Sequence, residues 1–249
     1  MNLPALVAHR GYARHYPENT MPAIAAAVAA GVHFVEVDVQ LTKDGVPVLF
    51  HDRTLDRLCG VAGAIHGHTA DELGHMRASF FDRFGYKYAQ VGIASLDDVA
   101  KLLAANPSVT AFVELKRIAV ESFGAQTLVR SVRETLQPVA RQCVLISYSL
   151  VALAEARAQG TERIGVVIDK WRERKADAIA RLRPEYLFCD LDGLPRFGSL
   201  RFAGAATVIF EVDDAGIALK LARRGVDMVE TFACGELARD LAFASGGDA

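Results

Sequence analysis

Residues 34–51 read FVEVDVQLTKDGVPVLFH, and this stretch decides how the chain folds. Phe34, Val35, Val37 and Val39 have the character of a buried strand, yet Glu36 and Asp38 interrupt it. Residues two apart share one face of a strand, so the two carboxylates lie side by side. Ionised and unpaired, they would be costly to desolvate, and each raises the pKa of the other. Further along, Asp44-Gly45 is a favoured two-residue hairpin turn, and too few residues separate Asp38 from His51 to hold a crossover helix. Residues 46–51 are therefore expected to return antiparallel, with Asp38 opposite His51. That register brings a histidine back to the level of the carboxylates, and a one-residue slip would turn it to the other face.

With 46–51 assigned as the return arm of a hairpin, eight strand-like runs remain, at 6–9, 34–39, 111–115, 143–147, 163–168, 186–189, 207–212 and 227–231. They alternate with helical patterns at 20–30, 96–104, 124–137, 149–158, 172–182 and 215–224, and Gly31, Gly160 and Gly225 sit where helix C-caps belong. Strand-helix alternation marks a parallel α/β fold. The expectation is an α/β TIM (β/α)8 barrel with a β-hairpin extension after strand 2 and a long connection before strand 3. No linker-like stretch divides the 249 residues, so one domain over 1–249 is expected, close to the roughly 250 residues of such barrels.

Formal net charge is −2, the sequence pI is about 6.4 and mean hydropathy is +0.19. None of these draws the chain toward nucleic acid or an anionic membrane, and the basic run KWRERK (170–175) reads as a solvated face. Cys59, Cys143, Cys189 and Cys234 are scattered, which argues against a disulfide framework or zinc site and for a reducing compartment. The N-terminus lacks a signal-peptide pattern, and the apolar window 21–32 is too short to span a bilayer. The expectation is a cytoplasmic protein with no nucleic-acid partner and no stable membrane insertion.

Active sites of these barrels lie at the C-terminal strand ends, where four strands carry polar groups. The first ends in His9-Arg10-Gly11. The second carries Glu36 and Asp38, with His51 returned to them, the third Glu114 and Lys116, and the fourth Ser147-Tyr148-Ser149. Glu36, Asp38 and Glu114 are hard oxygen ligands suited to a divalent cation, Mg2+ or Ca2+. Arg10 and Lys116 offer fixed charge for a phosphate, and His9 and His51 are natural proton donors and acceptors. Together they point to metal-assisted chemistry on an anionic ester.

HRGYARHYPENT (9–20), VEVDVQLTKDGVPVLFHDRTLDR (35–57) and VELK (113–116), with SLDDVA (95–100) and LISYS (145–149), resemble the glycerophosphodiester phosphodiesterase family in order and spacing. The resemblance implies a barrel that hydrolyses glycerophosphodiesters to glycerol 3-phosphate and an alcohol. It also implies Glu36, Asp38 and Glu114 as cation ligands, His9 and His51 as the acid–base pair, and Arg10 and Lys116 on the phosphate. Which histidine is the base stays open, as does whether water or the glycerol 2-hydroxyl attacks. Glu18 either orients Arg10 or His9, or favours a helix start that Asn19 caps.

Two departures fall on the substrate side. Phe210, within IFEVD (209–213), stands where the family usually has a Trp-Thr pair, and keeps an apolar face for glycerol. Glu230-Thr231 replaces the usual Thr-Asp. Trp171 is the expected substitute for the missing aromatic wall. Phe80, Phe81, Phe84, Tyr86 and Tyr88 form either a lid or a local mini-core, and Asp190 and Asp192 are rim acids without an assigned role. Two rival readings are the same chemistry on a lysophospholipid-like or other phosphodiester, and a non-catalytic binding barrel. A second copy of the chain, as a homodimer, is the remaining candidate partner.

Overall fold

The computed structural model describes residues 3–246; residues 1–2 and 247–249 of the expected domain lie outside them. Among the described residues are nine strands: β1 (Ala5–Ala8), β2 (Phe34–Leu41), β3 (Pro47–Leu49), β4 (Thr110–Leu115), β5 (Cys143–Ser147), β6 (Ile164–Ile168), β7 (Tyr186–Asp190), β8 (Ala206–Phe210) and β9 (Met228–Thr231). All except β3 are parallel, and pairing of β1 with both β2 and β9 closes them into an eight-stranded barrel. This is the expected TIM barrel. Gly31, Gly160 and Gly225 all follow helices at positive φ, as C-cap glycines do.

Strand alternation builds two cores. Outward-facing Val35, Val37, Val39 and Leu41 are fully buried beneath the surrounding helices, packed in one cluster with Leu96, Val99 and Leu103 of the helix Leu96–Ala105. Each such side chain contributes about 1.5–3 kcal/mol of hydrophobic stabilisation. Inward-facing Val7, Phe112, Val144, Val167, Phe188, Val208 and Met228 fill the barrel itself. Phe112 lies edge-on to Tyr186 and Phe188, at 4.9 and 5.0 Å between centroids. Gly165 of β6 makes room for this aromatic group, since a Cβ there would stand 2.8 Å from Ile146 and 3.2 Å from Phe188.

The hairpin exists, but its register differs from the expected one. Val39 pairs with Leu49, Gln40 with Val48 and Leu41 with Pro47, one residue off the pairing of Asp38 with His51. The cause is a three-residue loop in place of the two-residue turn. Thr42 N–H donates to Val46 O at 3.0 Å, and Gly45 takes φ 83°, the left-handed residue that closes such loops. Thr42 stabilises the wider loop by accepting the Val46 N–H and donating to Asp44. Asp38 O therefore receives the N–H of Phe50, and β3 ends at Leu49 before His51 is reached.

The connection from residue 50 to 95 folds on its own small core of Val48, Phe50, Leu55, Leu58, Ile65 and Leu73, which Phe80 joins. The mini-core alternative holds for Phe80, whereas Phe81 and Tyr86 are exposed and stack edge-on against each other. The pattern at 172–182 divides into a 3-10 turn, Trp171–Lys175, and a short helix, Asp177–Leu182. Among the described residues no helix is long and apolar enough to cross a membrane.

Candidate active site

Inward positions two apart carry the chain from apolar core to polar rim: Val7 to His9, Phe34 to Glu36 and Asp38, Phe112 to Glu114, Met228 to Glu230. Above the apolar layer His9, Glu36, Glu114 and Glu230 bound a cavity of about 200 Å3, walled also by Arg10, His51, Lys116, Tyr148, Phe188 and Phe210, with Asp38 fully buried behind it. A larger cavity of about 440 Å3 lies by the N-terminal ends of β5 and β6, with Arg133, Arg141 and Arg163 in its wall. Only the first gathers the acids and histidines of the strand ends.

Local backbone geometry aims the first strand end into this cavity. Arg10 and Gly11 both adopt positive φ, 56° and 79°. At Gly11 a Cβ would sit 2.6 Å from the Ala23 carbonyl carbon, so the chain can pass only as glycine. The turn points the Arg10 N–H at Glu36 Oε2, 3.1 Å away. Asn19 clamps Asp38 twice, donating from Nδ2 to Oδ2 at 2.8 Å and accepting the Asp38 N–H at 3.0 Å. Asn19 is therefore not the helix cap; Thr20 holds that position, with its hydroxyl turned back to Pro17 O.

Ion pairs tie the rim together. Asp38 meets Lys116 Nζ at 3.0 Å and Arg10 Nε at 3.1 Å, and Lys116 reaches Glu114 at 3.1 Å. Glu18 pairs with Arg10 at 2.8 Å and with Arg57 at 2.7 Å, and Arg57 grips Asp52, the neighbour of His51. Glu18 thus orients Arg10, not His9. Burial pushes the Asp38 carboxyl upward, but Lys116 and Arg10 overcome it and hold the group far below the usual range. Glu36 shows the opposite balance: burial, with Asp38, Glu230 and Glu114 nearby, raises it well above that range. Burial also raises Glu114, with Lys116 opposing.

Ligand oxygens of Glu36, Asp38 and Glu114 lie within 4.8 Å of one another, as do ligand atoms of His9, Glu36 and Glu230. Oε1 of Glu36 is buried without a hydrogen-bond partner. An unpaired buried carboxylate oxygen facing other carboxylates suits a divalent cation, so these residues fit one.

Each histidine carries a carboxylate on Nδ1. His51 meets Asp52 at 2.9 Å and His9 meets Glu211 at 3.3 Å, while His9 Nε2 stands 3.7 Å from Glu36. Phe232 stacks on the His9 ring at 4.7 Å between centroids. Burial, aided by Arg10, lowers the His9 pKa despite Glu211, which favours the neutral ring at pH 7. His51 reaches the cavity without the expected pairing. Gln40 Nε2 donates to Phe50 O at 3.0 Å and Asp52 O at 2.7 Å and holds the chain on either side of it.

Other expectations are corrected. Trp171 is buried in the outer core under the Arg174 guanidinium, not in the cavity, because the 3-10 turn folds it away; Tyr148, Phe188 and Phe210 supply the aromatic wall. Ser147 donates to Leu115 O and Ser149 caps the next helix, leaving only Tyr148 of that trio on the cavity. Asp190 accepts the Asp192 N–H in a local turn. Glu230 was expected only as a departure on the substrate side, and Glu211 had no expected role. Glu230 carried a readable signal, an acid two positions past Met228 in an apolar strand; Glu211, beyond the end of β8, carried none.

Comparison with known proteins bears on the fold and the family. A family model described as "Glycerophosphoryl diester phosphodiesterase family" matches residues 9–183. A glycerophosphodiester phosphodiesterase of Bacillus altitudinis is 35% identical over 134 residues, 53% of each chain, so the match spans about half of that relative. Among solved structures, an Oleispira antarctica phosphodiesterase in complex with the product sn-glycerol-3-phosphate superposes with a TM-score of 0.81 at 25% identity, over 96% of this chain and 97% of that one. A glycerophosphodiester phosphodiesterase from Thermotoga maritima shares the fold, with a TM-score of 0.74 at 24% identity over 97% and 99%. Because the family model covers well over half of the chain and its motif residues converge on one barrel end, the chain belongs to the glycerophosphoryl diester phosphodiesterase family.

Proposed function

We propose that the chain hydrolyses glycerophosphodiesters to sn-glycerol 3-phosphate and an alcohol. The observation that carries this reading is the cavity itself, where two histidines, two fixed cations and a carboxylate cluster line about 200 Å3 at the C-terminal barrel end. Arg10 and Lys116 bind the phosphodiester charge, and Phe210 and Tyr148 offer the glycerol backbone an apolar wall. Glu36, Asp38 and Glu114 would hold the divalent cation, Mg2+ or Ca2+, which when bound polarises a phosphoryl oxygen. A carboxylate on each Nδ1 favours the Nδ1–H tautomer and leaves Nε2 to exchange a proton. One histidine takes the proton of the attacking water or glycerol 2-hydroxyl as its oxygen bonds to phosphorus. The other protonates the alcohol oxygen as its bond to phosphorus breaks; where the 2-hydroxyl attacks, water then opens the cyclic phosphate, bonding to phosphorus as the bond to the 2-oxygen breaks and that oxygen takes a proton.

The test is a substrate panel of glycerophosphocholine, glycerophosphoethanolamine and a lysophospholipid, assayed by release of the alcohol. Turnover is expected on the glycerophosphodiesters, lost with EDTA and restored by Mg2+ or Ca2+. His9→Ala and His51→Ala should each lower kcat by about 10²–10⁴-fold. The apolar wall of Phe210, Phe188, Ile146 and Val167 favours the lysophospholipid as the second substrate class, and turnover on that substrate alone would move the assignment there. No turnover on any phosphodiester would leave the binding-barrel reading.

A further inference from the structure

The residues assigned so far leave Glu230 without a role, although it is 3% exposed at the inner end of β9. Its Oε1 has no hydrogen-bond partner, and neither does Oε1 of Glu36, which is 1% exposed. Among the described residues no lysine, arginine or histidine forms an ion pair with Glu230. A buried carboxylate in that state is expensive unless something positive meets it.

Asp38 Oδ1 also lacks a hydrogen bond, but Lys116 forms an ion pair with it at 3.0 Å, and Arg10 and Asn19 hold its Oδ2. The oxygens still wanting a positive partner are therefore Oε1 of Glu36 and Oε1 of Glu230, and ligand atoms of these two residues lie within 4.8 Å of each other. Charge points the same way. With Glu18 matched by Arg57, four buried or nearly buried carboxylates (Glu36, Asp38, Glu114, Glu230) face two fixed cations, Arg10 and Lys116, which leaves two negative charges unmatched when all four are ionised. One divalent cation cancels them, whereas the three motif carboxylates alone would leave only one.

We propose that Glu230 is a fourth carboxylate ligand of the divalent cation, acting with Glu36 from across the seam where β9 meets β1. The proposal rests on the cation-site reading above, and the experiment separates the two. Mn2+ binding to the full chain is measured by calorimetric titration, together with the Mn2+-induced rise in Tm, for wild type, Glu36→Gln and Glu230→Gln. Glu230→Gln keeps the shape and removes the charge. It should weaken Mn2+ at least roughly tenfold, shrink the rise in Tm, and melt higher than wild type in EDTA because the cost of burying an ionisable carboxylate, whether charged or protonated, is gone. If Glu36→Gln loses Mn2+ while Glu230→Gln matches wild type in affinity and in Tm rise, the role of Glu230 is overturned and the cation site stands. If wild type binds no Mn2+, both fall. Glu230→Asp keeps the charge but shortens the reach; it should bind with intermediate affinity, and wild-type affinity there would also overturn the proposal.

Discussion

His9 is held from several directions, and its surroundings explain what the ring can do. Phe232 covers one face, Glu36 stands beyond Nε2, and Glu211 meets Nδ1 from the chain just past β8. Burial opposes ionisation of Glu211, but His9 beside it holds the carboxyl below its ordinary value. Glu211 is therefore anionic at neutral pH and can fix the ring tautomer. Glu211→Gln should lower kcat about tenfold, with KM within roughly twofold and partial rescue by Glu211→Asp. Steady-state kinetics on glycerophosphocholine checks this, and a matched loss in KM would show that Glu211 acts on substrate binding instead. None of this was readable beforehand, because Glu211 lies where the chain departs from the usual pattern of its family.

At the scale of elements, the β2–β3 hairpin shows how a correct element can carry an incorrect detail. Asp44-Gly45 does mark the turn, but Thr42 adds two side-chain hydrogen bonds that favour a loop one residue longer. What keeps His51 in the cavity is Gln40, buried on the same face as Asp38, through its bonds to Phe50 O and Asp52 O. Gln40→Leu leaves both carbonyls short of a donor, at about 1–3 kcal/mol each. It should therefore lower stability in chemical denaturation by roughly 2–6 kcal/mol and reduce kcat as His51 loses its place. A variant with full activity would show that His51 is positioned by the Asp52–Arg57 pair alone. The strands and helices themselves were legible to within a residue or two over most of the chain, since alternation and capping glycines are local signals. The helices Arg117–Phe123 and Cys234–Gly246 were missed. The first follows Lys116 directly, with no N-cap residue to announce it.

For the whole molecule, we propose that the chain is one domain, because strands from both ends of the chain close a single barrel around a shared interior core. Thermal unfolding should then be a single transition, and saturating Mg2+ or Ca2+ should raise its midpoint, since a ligand held only by the native state stabilises it by mass action. Scanning calorimetry tests both points, and two separable transitions would argue for independent units. The site is fed by strands from Ala5 to Thr231, so it exists only once the barrel has closed. The sequence by itself determined the barrel class and, through the family motif, the residues expected at the rim: His9, Arg10, Glu36, Asp38, His51, Glu114 and Lys116. Those signals are local patterns of alternation, spacing and residue type. Only the tertiary structure decided that Glu230 faces Glu36, that Glu211 meets His9, and that Trp171 turns away from the cavity. Closure of β9 onto β1 and the folding of loops beyond the strand ends set those contacts between residues far apart in the chain, and no local pattern encodes them.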